Sequence, residues 1–149
     1  IGLQIAKELA ERGYELVLHC NSTEKALLAF VDENKNKNHI VNADLSTVVG
    51  AVDLFNQTCK AIGFPDSIIN NAGVADSSPI EKDIKEWSAD FDKTISVNLK
   101  SPAIICKEFI LKKRTEKISK RLRIINIASR AAFRGEIEDF ISYACSKEV

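Results

Sequence analysis

Apolar residues along this chain recur with two alternating periods. Leu3, Ile5, Ala6, Leu9 and Ala10 lie at helical spacing, and Gly13 ends the run. Glu15–Cys20 (ELVLHC) is a short apolar stretch that reads as a strand. Asn21, Ser22 and Thr23 offer caps for a helix carrying Ala26, Leu27, Phe30 and Val31. The polar run NKNKN predicts a turn, and His39–Asn42 a second strand, with Asp44 just beyond it. Ser46 is the expected cap of a third helix bearing Val49, Val52, Leu54, Phe55 and Ile62, which Gly63 and Pro65 end. Asp66–Asn70 reads as a third strand. A long helix is expected over Lys82–Lys113, with Trp87, Phe91, Ile95, Leu99, Ile105 and Phe109 among its apolar residues. Pro102 is expected to bend or interrupt it. The run KKRTEKISKRLR places cations at the negative pole of that helix. Ile124, Ile125 and Ile127, broken only by Asn126, read as a buried parallel strand.

Strands alternate with helices throughout. The predicted fold is therefore α/β, a doubly wound parallel sheet of Rossmann type. In such sheets ligands bind beyond the carboxyl ends of the strands. Those ends carry Cys20 and Asn21, Asp44, Asn70 to Gly73, and Ser129.

Composition adds bounds. The chain has 149 residues, room for one domain, and its 45% apolar content suffices for a core. A net charge of zero gives no sign of a nucleic-acid partner. No apolar run reaches the length of a membrane span, and the opening segment is an amphipathic helix rather than a signal peptide. Cys20, Cys59, Cys106 and Cys145 are scattered, with His19 and His39 away from metal-ligand spacing. They read as reduced thiols of a cytoplasmic protein without a metal site.

The candidate chemistry lies between Arg123 and Lys147. Tyr143 and Lys147, four apart, share one face of a helix. In isolation such a pair is most often a rim aromatic beside a solvated charge. A cation beside a phenol favours the phenolate. A hydroxyl such as that of Ser129, converging with an activated phenol, can bind and protonate a carbonyl oxygen, or do the reverse to an alcohol.

The motifs, in order, are Gly2, Asp44 in NADLS, Asn70-Asn71-Ala72-Gly73, Asn98 in ISVNL, Ser129 in INIAS, and Tyr143 with Lys147 in YACSK. Together they resemble the short-chain dehydrogenase/reductase family over essentially the whole chain, with 3-oxoacyl-acyl-carrier-protein reductases as the nearest subgroup. The resemblance implies an oxidoreductase that moves a hydride between NAD(P)H and a carbonyl or secondary alcohol. Tyr143 would give or take the proton. Lys147 would activate it and hold the nicotinamide ribose. Ser129 would hydrogen-bond the substrate oxygen, and Asn98 would hold a water that passes protons to Lys147; Asn98 would sit at a helix irregularity, for which the nearby Pro102 gives a physical reason. Gly2, Asn21, Ser22, Asp44, Leu45, Asn71, Ala72 and Gly73 would join Tyr143 and Lys147 in binding the cofactor. The rival implication is a catalytically silent binding or scaffold subunit; the complete Asn98, Ser129, Tyr143, Lys147 set favours the enzyme.

Three further expectations follow. An acid after the Glu15–Cys20 strand would bind the ribose diol of NAD and repel a 2′-phosphate. His19, Cys20, Asn21 and Ser22 supply none, so NADP(H) is expected ahead of NAD(H). The apolar residues of Lys82–Lys113 cannot all face one way at a period of 3.6, and a homodimer or homotetramer through that helix is expected. Only the tail of a Gly-rich turn is present, as Ile1-Gly2. Residues 1–149 therefore read as part of a longer domain, without the first strand and its turn or the C-terminal strands.

Overall fold

The computed structural model describes residues 1–22, 25–33 and 38–147. Thr23 and most of the NKNKN turn lie outside the described residues, as does the side chain of Ala26. Helix α1 spans Gly2–Glu11 and strand β1 Leu16–Cys20; α2 covers Lys25–Glu33 and β2 Asn38–Asn42. Helix α3 runs over Val48–Ile62 and β3 over Ser67–Asn70. Helices α4 (Ile84–Ile95) and α5 (Ser101–Thr115) are joined by a π-helical turn, Ser96–Lys100. Strand β4 (Arg123–Asn126), the single turn α6 (Ala131–Arg134), a 3₁₀ turn (Glu138–Phe140) and α7 (Ile141–Lys147) complete the order.

Helix ends follow from local chemistry. Gly13 adopts φ +82°, a left-handed conformation that glycine enters without a Cβ clash. Its N–H donates to the Ala10 carbonyl (2.9 Å), and that of Tyr14 to the Leu9 carbonyl (3.1 Å), so two orphan carbonyls of α1 are satisfied. The cap of α3 is Thr47 rather than Ser46. The Thr47 hydroxyl accepts from the Gly50 N–H (2.9 Å), while the Ser46 N–H donates to the Asp44 carboxylate (2.9 Å). Asp44 forms a local turn that takes Ser46 out of the capping position. The cationic run puts Lys112, Lys113 and Arg114 in the last turn of α5, at the negative pole where the sequence places them. Lys113 Nζ donates to the carbonyls of Ile118 and Lys120 beyond the helix end, 2.9 Å each.

The strands form two parallel pairs. Strand β1 pairs with β2 in the register Leu16↔Asn38, and β3 with β4 in the register Ser67↔Arg123. Helices α3 and α5 pack together, and the core cluster of Leu45, Ala51, Val97 and Ile105 forms there. Ile68, Ala72 and Val74 pack onto it from β3 and its following loop. Phe64 and Phe109 stack at 5.0 Å, with Phe55 edge-on to both at 6.4 Å. Each such aromatic pair is worth about 0.5–1.5 kcal/mol beyond its buried area.

Burial of β4 departs from expectation. Ile124 and Ile125 are 38% and 43% exposed. A parallel strand is buried when helices cover both of its faces. Here β4 is bonded along one edge by β3, and its isoleucines stay more than a third open.

Candidate active site

The site is assembled where the π turn meets α7. Pro102 is the second residue of α5 and has no N–H to offer the Asn98 carbonyl four residues back. The helix accommodates this by widening into the Ser96–Lys100 turn, so the interruption falls upstream of the proline. Asn98 sits in that turn and is buried.

Its side chain clamps the loop after β3. Asn98 Oδ1 accepts from the Val74 N–H, and Nδ2 donates to the Val74 carbonyl, 2.8 Å each. The second Nδ2 hydrogen goes to Ser146 Oγ at 2.9 Å. Ser146 Oγ in turn donates to the Tyr143 carbonyl at 2.8 Å. The loop, the π turn and α7 are thereby joined through one amide. Lys147 Nζ lies 5.8 Å from the centre of the Tyr143 ring, as their spacing on one helix face requires.

Gly73 fits between these groups. A Cβ there would stand 3.2 Å from Asn98 Oδ1 and 3.6 Å from Lys147 Nζ. Gly2 is pressed against Asn71 in the same way, since a Cβ would fall 2.5 Å from Asn71 Nδ2. Ala72 and Leu45 belong to the core packing. The structure thus brings together Gly73, Asn98, Tyr143 and Lys147, and separately Gly2 with Asn71.

The remaining candidates have local partners. Ser129 Oγ accepts from the Ala131 N–H at 3.2 Å, which leaves its own hydrogen to donate elsewhere. Asn21 and Ser22 are exposed just beyond β1. Asp44, beyond β2, is exposed, and its carboxyl is held below the ordinary carboxylate range. The hydrogen bonds from Ser46 are the main cause, with the Lys93 ammonium assisting. Lys93 pairs with Asp76 at 2.7 Å, and this hydrogen bond raises the pKa of its ammonium.

Sequence reasoning missed Val74, Lys93 and Ser146. For Ser146 a signal exists: it stands three residues after Tyr143, on the same helical face. Val74 acts through its backbone, and Lys93 meets Asp76 only in the fold, so neither is legible from residue type. Among the described residues no group of three His, Cys, Asp or Glu side chains could hold a metal. No helix of the described residues is long and apolar enough to cross a membrane.

The profile of the family described as short chain dehydrogenase matches residues 1–149. The chain belongs to that family. A subunit (BbsD) of (2S)-[(R)-hydroxy(phenyl)methyl]succinyl-CoA dehydrogenase from Thauera aromatica is 36% identical over 138 residues, 91% of this chain and 53% of that protein. An NADPH-dependent pterin aldehyde reductase from Arabidopsis thaliana is 30% identical over 74% of this chain and 45% of its own length. This short-chain dehydrogenase chain spans about half the length of the curated relatives it matches. Among solved structures, a metagenomic short-chain oxidoreductase in complex with NADP superposes with TM-score 0.77 at 28% identity, over 96% of this chain and 62% of that one. The complex of 4-hydroxyisoleucine dehydrogenase with NADH and succinate gives TM-score 0.81 at 27% identity, over 99% and 60%. The doubly wound fold expected from the sequence is that of these relatives.

Proposed function

We propose that this chain carries the proton-transfer machinery of an NAD(P)-dependent carbonyl reductase or alcohol dehydrogenase. The observation that carries the reading is the Asn98 clamp, which fixes the Tyr143–Lys147 helix against the Gly73–Val74 loop. Tyr143 supplies the proton to a carbonyl oxygen in reduction and removes it from an alcohol in oxidation. Lys147 supplies the cation beside the phenol, and Ser129 donates its unspent hydrogen to the same substrate oxygen. Asn98 would hold a water that passes protons to Lys147.

A nicotinamide cofactor fits the residues present. Gly73 leaves beside the Lys147 ammonium a space that a Cβ would narrow to 3.6 Å. When bound, the cofactor supplies or accepts the hydride. Lys147 would hold its ribose, with Gly2, Asn71, Ala72, Asp44, Leu45, Asn21 and Ser22 along the nucleotide. Asn21 and Ser22, just beyond β1, bring no acid, which supports NADPH ahead of NADH; ketone reduction is the direction we favour. The relative named for NADPH-dependent aldehyde reduction is in keeping with this. Ile84, 71% exposed on α4, and Ile110 and Leu111 on α5 support a second copy docking along these helices.

The test uses the complete protein that carries this chain, with ketones and 3-oxoacyl thioesters as the panel. Tyr143→Phe should lower turnover by roughly 10²–10⁴ and leave cofactor affinity nearly intact, because it removes a proton but little packing. Lys147→Ala should damage both. Turnover by Tyr143→Phe at the parent rate overturns the mechanism. Binding of NADH as tight as that of NADPH overturns the cofactor preference.

A further inference from the structure

We infer that Ser146 is a positioning residue for the Tyr143–Lys147 pair. The inference rests on the proposed proton-transfer reading of this site. Ser146 is buried, with 4% of its surface exposed, and its one hydroxyl is used twice. It accepts a hydrogen from Asn98 Nδ2 and donates its own to the Tyr143 carbonyl. Each bond does something different. The first attaches α7 to the π turn across a separation of 48 residues. The second braces the α7 backbone at Tyr143, one helical turn back.

This matters because α7 is only seven residues long. A helix of that length does not hold its own shape in water. Its position must come from tertiary contacts. Tyr143 and Lys147 are both partly exposed. Ser142 and Ser146 are the buried members of α7. Of these two, Ser146 bonds directly to the amide that also holds the Gly73–Val74 loop. Removing its hydroxyl leaves one buried Asn98 hydrogen without an acceptor, and that penalty falls on the clamp itself. The phenol and the ammonium then lose their fixed distance from the loop while both side chains remain present. Small displacements of a catalytic group cost turnover more than affinity.

The experiment compares Ser146→Ala, Asn98→Ala and the double variant in the complete protein, well below their unfolding temperatures. Steady-state kinetics with NADPH and a reducible carbonyl are read together with thermal midpoints. Ser146→Ala should lower kcat about tenfold with KM for the carbonyl little changed. The double variant should be no worse than Asn98→Ala alone, because both changes break one connection. Parent kcat in Ser146→Ala, whatever its thermal midpoint, makes the hydroxyl merely structural and overturns the inference while the active-site reading stands. Independent, additive losses in the double variant also overturn it. A parent protein that reduces no carbonyl with either cofactor overturns the active-site reading and this inference with it.

Discussion

Asp90 shows how much of a residue's behaviour is set by neighbours distant in sequence. Its carboxylate accepts from Lys82 Nζ at 2.5 Å and from Ser78 Oγ at 2.8 Å. The Lys82 hydrogen bond is the main cause that holds its pKa below the ordinary 3.8, followed by that of Ser78. A carboxyl depressed in the folded state takes up its proton later than in the unfolded chain as pH falls. Its contribution is therefore complete above the unfolded value and is lost as pH drops through the folded one. Asp90→Asn should accordingly lower the thermal midpoint near neutral pH, and the gap to the parent should close as pH falls below 3.8. Thermal scans across that range check this; a gap of constant size contradicts it. Tyr143, Lys147, Ser129 and Asn98 stand out in the sequence as candidates by type, because each has few roles its chemistry allows. The sequence does not display Asp90 or Ser146, whose roles come from partners 12 and 48 residues away.

Helices and strands were largely legible, because each apolar stripe has a matching period and an end signal. The expected bounds Glu15–Cys20, His39–Asn42 and Asp66–Asn70 each lie within one residue of the observed strands. The π turn adds one residue per turn without changing composition, so periodicity does not mark it; the family resemblance, with Pro102 nearby, implied an irregularity at Asn98, where it forms. One helix cap resisted. The cap of α3 went to Thr47, because Asp44 claims the Ser46 N–H first. The Thr47 hydroxyl accepts from Gly50 N–H and donates to the Asp44 carbonyl at 3.1 Å. Thr47→Ala should therefore cost about 1 kcal/mol of stability, while Ser46→Ala should stay within about 0.5 kcal/mol. Chemical denaturation of the two variants separates them, and equal losses would return the cap to Ser46.

At the scale of the molecule, the described strands make two sheets of two strands each. A two-stranded sheet is marginal alone, and its open edges invite pairing with other chains. Phe133 is 92% exposed, and Ile124 and Ile125 of β4 are also open to solvent. Residues 1–149 expressed by themselves should unfold with low cooperativity, bind an apolar dye and aggregate. A sharp thermal transition together with NADPH binding would refute this. The order of the motifs was visible in the sequence, whereas periodicity alone reports a strand's faces and not its neighbours. One consequence follows from the seven-residue α7, tethered at Ser146 to Asn98 and preceded by Asp139, whose carbonyl accepts from the Ser78 N–H. So short a helix can detach while the α3–α5 core stays packed, because local opening costs less than global unfolding. Warming or mild denaturant would thus silence the proposed chemistry first, in a molecule that still scatters light and absorbs as a folded protein does.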